Sequence, residues 1–164
     1  MPVGGCSLMD LLLVQHGEAT AKEANPARPL TERGRADVLR IAQALRSAGI
    51  AVAAIYHSGK LRAQQTADIL AAELHVAPAP AALDGLSPND DPATVAGALD
   101  LLQLPAMLVG HLPHMSRLCS LLLTGDPEQP TVKFRMGGIV CLVKEDTEGW
   151  RVGWMLTPEV IPAT

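Results

Sequence analysis

Leu8-Met9-Asp10-Leu11-Leu12-Leu13-Val14-Gln15 is an almost unbroken apolar run that stops at His16-Gly17. A strand with one wet face alternates polar and apolar residues. A run this short and continuous suits a strand covered on both faces, as in a parallel sheet. Two later segments repeat the pattern: Ile50 to Tyr56 closes at His57-Ser58-Gly59, and Pro105 to Gly110 closes at His111. Between them the period changes. Thr31 reads as an N-cap before Val38, Ile41, Ala42 and Leu45, the spacing of a helix that ends near Gly49. Ala63, Ala67, Leu70 and Leu74 define one face of a second helix, and Met115, Leu118, Cys119 and Leu122 that of a later one. Val95, Leu99 and Leu102 suggest a helix between these two.

Strands alternating with helices imply parallel pairing through right-handed crossovers, which brings the ends of the three strands to one rim of the sheet. Pro78, Pro80, Pro88 and Pro92, with Asn89-Asp90-Asp91, read as an irregular connection that could cover that rim. Beyond Gly125-Asp126-Pro127 the rhythm changes. Ile139 to Val143 and Arg151 to Met155 are short strand-like runs separated by a hairpin signal over Asp146 to Gly149. The expected fold is α/β, a three-layer sandwich whose mostly parallel central sheet is flanked by helices and carries antiparallel C-terminal edge strands. No fixed-period repeat or Gly/Ser-rich linker divides the chain, so residues 1–164 are expected to form a single domain.

Composition narrows the function. The 164 residues are 48% hydrophobic and 18% charged, with Tyr56, Phe134, Trp150 and Trp154 as the aromatics, so an aliphatic core is expected. A formal charge of −4 offers no broad cationic footprint, which argues against nucleic acid or an anionic membrane as partner. Cys6, Cys119 and Cys141 are odd in number and show no paired spacing, so neither a disulfide framework nor a CxxC site is expected. The leading apolar run is short and interrupted by Asp10, unlike a signal peptide or a membrane span. A cytoplasmic protein is expected.

The polar residues fall where buried strands emerge into loops: Gln15-His16-Gly17, His57-Ser58 and Gly110-His111. In open α/β sheets that rim is where ligands bind. Arg62 lies in the first turn of the second helix, one residue off its apolar stripe, and so faces the rim. A guanidinium fork beside strand-end histidines and a helix N-terminus suits a tetrahedral dianion. Ser58 could donate its hydroxyl to such an anion, and Arg28 of Arg28-Pro29-Leu30-Thr31 could add a further contact. His111 and His114 form an HxxH pair, but no third ligand at suitable spacing accompanies them, so no metal is expected. Pro113 suggests a helix start with His114 in its first turn. His75 follows a helix end and is expected to cap it or meet solvent.

Four segments in order carry a family likeness. They are Val14-Gln15-His16-Gly17-Glu18-Ala19, Pro29-Leu30-Thr31, Ser58-Gly59-Lys60-Leu61-Arg62-Ala63-Gln64-Gln65-Thr66 and Val109-Gly110-His111-Leu112-Pro113-His114. Together they resemble the histidine phosphatase (phosphoglycerate mutase-like) superfamily, and within it the small SixA phosphohistidine phosphatases. The resemblance implies a metal-independent phosphatase that needs no cofactor. His16 would be the nucleophile and would carry a covalent phosphohistidine. Arg62 and His111 would be its catalytic companions, and Gln15, Gly17, Arg28, Ser58 and His114 would be phosphate-binding. A protonated His111, together with Arg62, would keep His16 neutral by like-charge repulsion.

The superfamily's first motif is usually Arg-His-Gly, so Gln15 replaces a cation with a neutral amide. Asp84, Asp90, Asp91 and Glu18 are the candidates for a general acid. An imidazole leaving group needs none, because a phosphoramidate is protonated on nitrogen before the bond breaks. The expected substrate is therefore a phosphorylated histidine on a signalling protein. The alternatives are hydrolysis of small phosphate esters, or a catalytically weak phosphoprotein-binding module.

Overall fold

In the computed structural model, which describes residues 7–145 and 148–163, the opening apolar run becomes an inner strand of a six-stranded sheet. The strands are β1 (Leu11–Gln15), β2 (Ala54–His57), β3 (Ala81–Ala82), β4 (Ala106–Gly110), β5 (Ile139–Glu145) and β6 (Gly149–Leu156), in the order β3-β2-β4-β1-β5-β6. The first four of these in space, β3, β2, β4 and β1, run parallel, and β5 and β6 add antiparallel pairs at the far side. The α/β class and the antiparallel edge agree with the sequence reading. Cys6 and the hairpin residues Asp146 and Thr147 lie outside the described residues.

Two helices cover each face. Helices α1 (Glu32–Ser47) and α2 (Leu61–Leu74) pack on Leu12, Val14, Ile55, Met107 and Val109. Helices α3 (Pro92–Ala98) and α4 (His114–Thr124) pack on Leu11, Leu13, Leu108, Val140 and Leu142. Successive side chains of a strand point to opposite faces, so the continuous run Leu11–Val14 feeds both layers. Leu11, Leu12 and Leu13 are wholly buried, each worth about 1.5–3 kcal/mol relative to an exposed position. Cys119 and Cys141 are buried in the cores on opposite faces. No helix among the described residues is long and apolar enough to cross a membrane.

Several boundaries differ from the pattern. The first strand starts at Leu11 because Asp10 closes a turn with Ser7, accepting its backbone N–H at 2.8 Å, which leaves Leu8 and Met9 exposed. The second strand starts at Ala54 rather than Ile50, because Ile50 and its neighbours form the exit from α1. The proline-punctuated stretch is not wholly irregular. Ala81–Ala82 pair in parallel with Tyr56–His57, and Pro92 opens α3 behind an Asp91 cap. That helix ends at Ala98, and a single 3₁₀ turn, Leu99–Leu101, follows. Thr31 caps α1 as expected, its side chain accepting from the Gly34 N–H, and His75 ends α2 in the left-handed conformation.

Candidate active site

Parallel register sets the site. Gln15 lies opposite Gly110 and His57 opposite Val109, so the chain leaves β1, β2 and β4 at one level. The ladder extends one step further, because the His16 N–H donates to the Gly110 carbonyl at 3.0 Å. That bond places His16 beside His111. Their ring centroids are 5.0 Å apart, with the planes inclined at 55°.

The imidazole of His16 is oriented by its own loop, since Nδ1 lies 2.7 Å from the Gly17 carbonyl. A carbonyl only accepts, so Nδ1 carries the proton and Nε2 keeps its lone pair. The loop is held from two sides. The Gly17 N–H donates to Thr66 Oγ1 at 3.1 Å, and that hydroxyl donates to the Arg62 carbonyl at 2.7 Å. On the other side, Thr31 Oγ1 donates to Glu18 Oε1 at 2.8 Å while the Thr31 N–H donates to the Glu18 carbonyl at 2.9 Å. The resemblance gives Gly17 a phosphate contact. The structure shows a packing demand at this residue, because a Cβ there would stand 2.8 Å from Val38 and 3.0 Å from the Gly34 carbonyl.

His111 is almost completely buried, its Nε2 2.6 Å from Ser58 Oγ and its Nδ1 without a partner. Ser58 is positioned by His57, whose Nδ1 accepts the Gly59 N–H at 3.0 Å and so braces the turn. Arg62 stands in the first turn of α2 with a buried, unpartnered Nε. Arg28 adopts a positive φ of 51° and is anchored by Nε donation to the Thr20 carbonyl at 3.1 Å. Its charge acts on both His16 and Arg62.

Burial, followed by the charges of Arg62 and Arg28, lowers the His16 pKa to about 4 against the bonus of the Gly17 carbonyl. Burial again leads at His111, joined by His16, Arg62, Lys60 and His114, and takes it down to about 3. The sequence leaves the protonation of His111 open; burial favours its neutral form, so burial, with Arg62 and Arg28 behind it, rather than a charged His111, keeps His16 unprotonated.

Both histidines therefore lose their proton well below neutrality. The free-enzyme kcat/KM is expected to stay level from pH 7 down to about 5, then fall roughly tenfold per unit once His16 is protonated near pH 4. An acidic limb centred between pH 6 and 7 would contradict a buried neutral His16. Stability follows the same sign. The unfolded chain takes up protons first, from the ordinary 6.5 downward, so the stability present above 6.5 is lost progressively as pH falls toward 3.

The remaining candidates are dispersed. Gln15 is mostly buried with an unpartnered Oε1, and it lines a neighbouring hollow of about 230 Å³ with Glu18, Arg33, Asp37, Arg135 and Glu159. His114 is fully buried with neither ring nitrogen hydrogen-bonded, under the influence of Asp90, Arg117 and the Gly85 backbone. It is the first residue of α4, three positions after His111, with its ring fully covered. Among the acid candidates, Glu18 is engaged by Thr31, Asp90 accepts from the Ser87 N–H, and Asp91 caps α3. Asp84 is exposed. Among the described residues, no group of three or more His, Cys, Asp or Glu is arranged to hold a metal ion.

Sequence reasoning gave no role to Thr66 or Gln65. Thr66 joins Arg62 to Gly17, and Gln65 Oε1 accepts the Leu30 N–H at 2.8 Å. Their signal was the spacing itself, since Thr66 stands one helical turn after Arg62 and shares its exit from the sheet.

Comparison with known proteins agrees with this fold. The family model "Histidine phosphatase superfamily (branch 1)" matches residues 11–86. An uncharacterized protein of Picosynechococcus is 35% identical over 115 residues, covering 65% of this chain and 68% of that protein. The protein histidine phosphatase SixA, solved with tungstate, superposes with a TM-score of 0.81 at 24% identity, over 92% of this chain and 97% of that one. A phosphoserine phosphatase mutant of Entamoeba histolytica, solved with phosphoserine, gives a TM-score of 0.68 at 16% identity, over 92% and 98%.

Proposed function

From the premise that this chain belongs to the histidine phosphatase superfamily, branch 1, we propose that it removes phosphate from phosphohistidine on a protein through a covalent intermediate on His16. The observation that carries this reading is the bond from His16 Nδ1 to the Gly17 carbonyl, which leaves Nε2 unprotonated beside His111. Nε2 attacks phosphorus, and the P–N bond to the substrate imidazole breaks. The departing ring is protonated on its distal nitrogen, the one not bonded to phosphorus, so that when the P–N pair returns to the bridging nitrogen it leaves as neutral imidazole. Water then attacks phospho-His16, inorganic phosphate departs, and the proton of that water passes to solvent as His16 is regenerated.

Arg62 and Arg28 hold the dianion and neutralise charge as the loose transition state spreads it over the equatorial oxygens. Ser58 and His111 form a hydrogen-bonded pair, and an arriving dianion opposes the burial and the neighbouring charges that keep His111 neutral. Gln15 can add only neutral donors, and His114 fixes the wall behind His111.

Glu18, Asp90 and Asp91 are engaged elsewhere, which leaves the exposed Asp84 as the one unengaged candidate; this supports a P–N substrate over an alkyl ester, because an alkoxide leaving group needs a carboxylic acid held at the site to protonate it. Arg62→Met is expected to lower kcat/KM for phosphoramidate by roughly 10²–10³ while the fold stays intact, measured by phosphate release and far-ultraviolet dichroism. The deciding experiment is brief incubation with a labelled phosphohistidine donor followed by acid and base treatment. Acid-labile, base-stable label at His16 is the expected result. Binding of the phosphoprotein with neither label nor turnover would instead assign a recognition module, and faster turnover of an alkyl ester would move the substrate class.

A further inference from the structure

The hollow of about 230 Å³ that Gln15 lines adjoins His16 without including it, and none of Ser58, Arg62 or His111 borders it. Its walls contain Gln15 and Glu18, the residues on either side of His16-Gly17, together with Phe134 and Met136. The wall is fastened to the His16 backbone, because the N–H of Gly137, next to Met136, bonds to the carbonyls of both Gln15 and His16. Only 9% of Gln15 is exposed, yet its Oε1 accepts no hydrogen bond. A buried carbonyl oxygen is costly in that state, and a donor from outside the chain would relieve it.

Glu18 adds a half-buried carboxylate. It takes the Thr31 hydroxyl on Oε1 and enters no ion pair among the described residues. The two arginines of the hollow are exposed and act on other carboxylates. Arg33 lies 3.8 Å from Asp37. Hydrogen bonds from its own backbone and from Thr157 lead in holding the Glu159 carboxyl below the usual range, and Arg135 and Arg33 add to them. What remains beside His16 is acceptor capacity and a negative charge next to apolar side chains. A long basic side chain meets all three, with its methylene stem on Phe134 and Met136 and its N–H groups at Gln15 Oε1 and Glu18. A backbone amide would serve Oε1 but would gain little from the Glu18 charge, and an acidic side chain would be repelled by it.

Resting on the phosphatase reading, we propose that this hollow binds a lysine or arginine side chain of the substrate protein that lies near the phosphohistidine. The substrate is then recognised twice, by its phosphoryl dianion at Arg62 and Arg28 and by a cation at Gln15 and Glu18. A partner carrying both charges has one favoured orientation in the site.

The probes are phosphohistidine peptides with lysine, norleucine or glutamate placed in turn at each of the four positions on either side of the phosphohistidine. That span covers neighbours in an extended chain and those one turn away on a helix. Phosphate release gives kcat/KM at low and high salt. With the unmodified protein at low salt, lysine at the favoured position is expected to exceed norleucine about tenfold and glutamate to fall below it, with the advantage shrinking at high salt. Two variants locate the effect: Glu18→Gln, which keeps an acceptor for Thr31, and Glu159→Lys, which puts a cation at the hollow. In each, the ratio of lysine to norleucine peptide should fall to within about twofold, and taking the ratio cancels any change in basal rate. Equal turnover of the lysine and norleucine peptides at every position overturns the proposal and leaves the phosphatase reading standing. So does a lysine preference that stays unchanged in whichever of the variants folds. Failure to turn over any phosphohistidine peptide, with no label on His16, removes both.

Discussion

His16→Asn is expected to fold, to bind inorganic phosphate, and to lose phosphoramidate turnover by roughly four to six orders of magnitude. The imidazole makes one local hydrogen bond, to the Gly17 carbonyl, while its backbone N–H bond to Gly110 survives the change. Architecture is therefore little affected. Asparagine has no basic nitrogen to attack phosphorus, so the covalent path closes and only binding by Arg28 and Arg62 remains. The checks are the rate of phosphate release and the absence of an acid-labile phosphoryl group. A variant retaining a tenth of normal turnover would place the nucleophile elsewhere, and His111 would be the next residue to examine.

The second large effect comes from a residue with no functional group. Gly34 sits in the first turn of α1 beneath the loop that carries His16, and a Cβ there would overlap the Glu18 carbonyl oxygen and lie 2.9 Å from the Glu18 nitrogen. Both are backbone atoms, so no side-chain rotation relieves the overlap. Either α1 or the loop His16–Glu18 has to shift. Gly34→Ala is expected to cost about 1–3 kcal/mol in urea unfolding, and displacement of His16 by about 1 Å would lower kcat roughly 10²-fold. Alanine is otherwise the better helix former, so the intrinsic propensity runs the opposite way. Unchanged stability together with unchanged kcat would mean the helix approaches this loop less closely.

The two effects mark what could be read from the sequence. His16, His57 and His111 were placed at one rim because each follows a continuous apolar run, and parallel topology did the rest. Thr31 announced α1 by its chemistry. The short strand Ala81–Ala82 gave no signal: both residues are exposed and lie close after Pro78 and Pro80, so only the unsatisfied edge of β2 selects them. Gly34 was silent for a related reason, since a missing side chain has no pattern until the loop that crosses it is known.

The charge state of His111 was not legible in the sequence because it depends on burial, which no motif encodes. Thr66 and Gln65 lay within the recognised segment. Their partners, Gly17 and Leu30, are remote in sequence and become neighbours only when α2 docks beside β1.

β1 takes β4 on one side and β5 on the other, and the Gly137 N–H bonds to the carbonyls of both Gln15 and His16. The segment that leads into His16 is thus synthesised well before the pieces that flank and clamp it, Ala106–Gly110 and Ile139–Glu145. The site around His16 can assemble only once those later pieces have left the ribosome. Until then Leu11–Val14 is an unshielded β-prone stretch, the point at which a nascent chain of this kind is most exposed to aggregation.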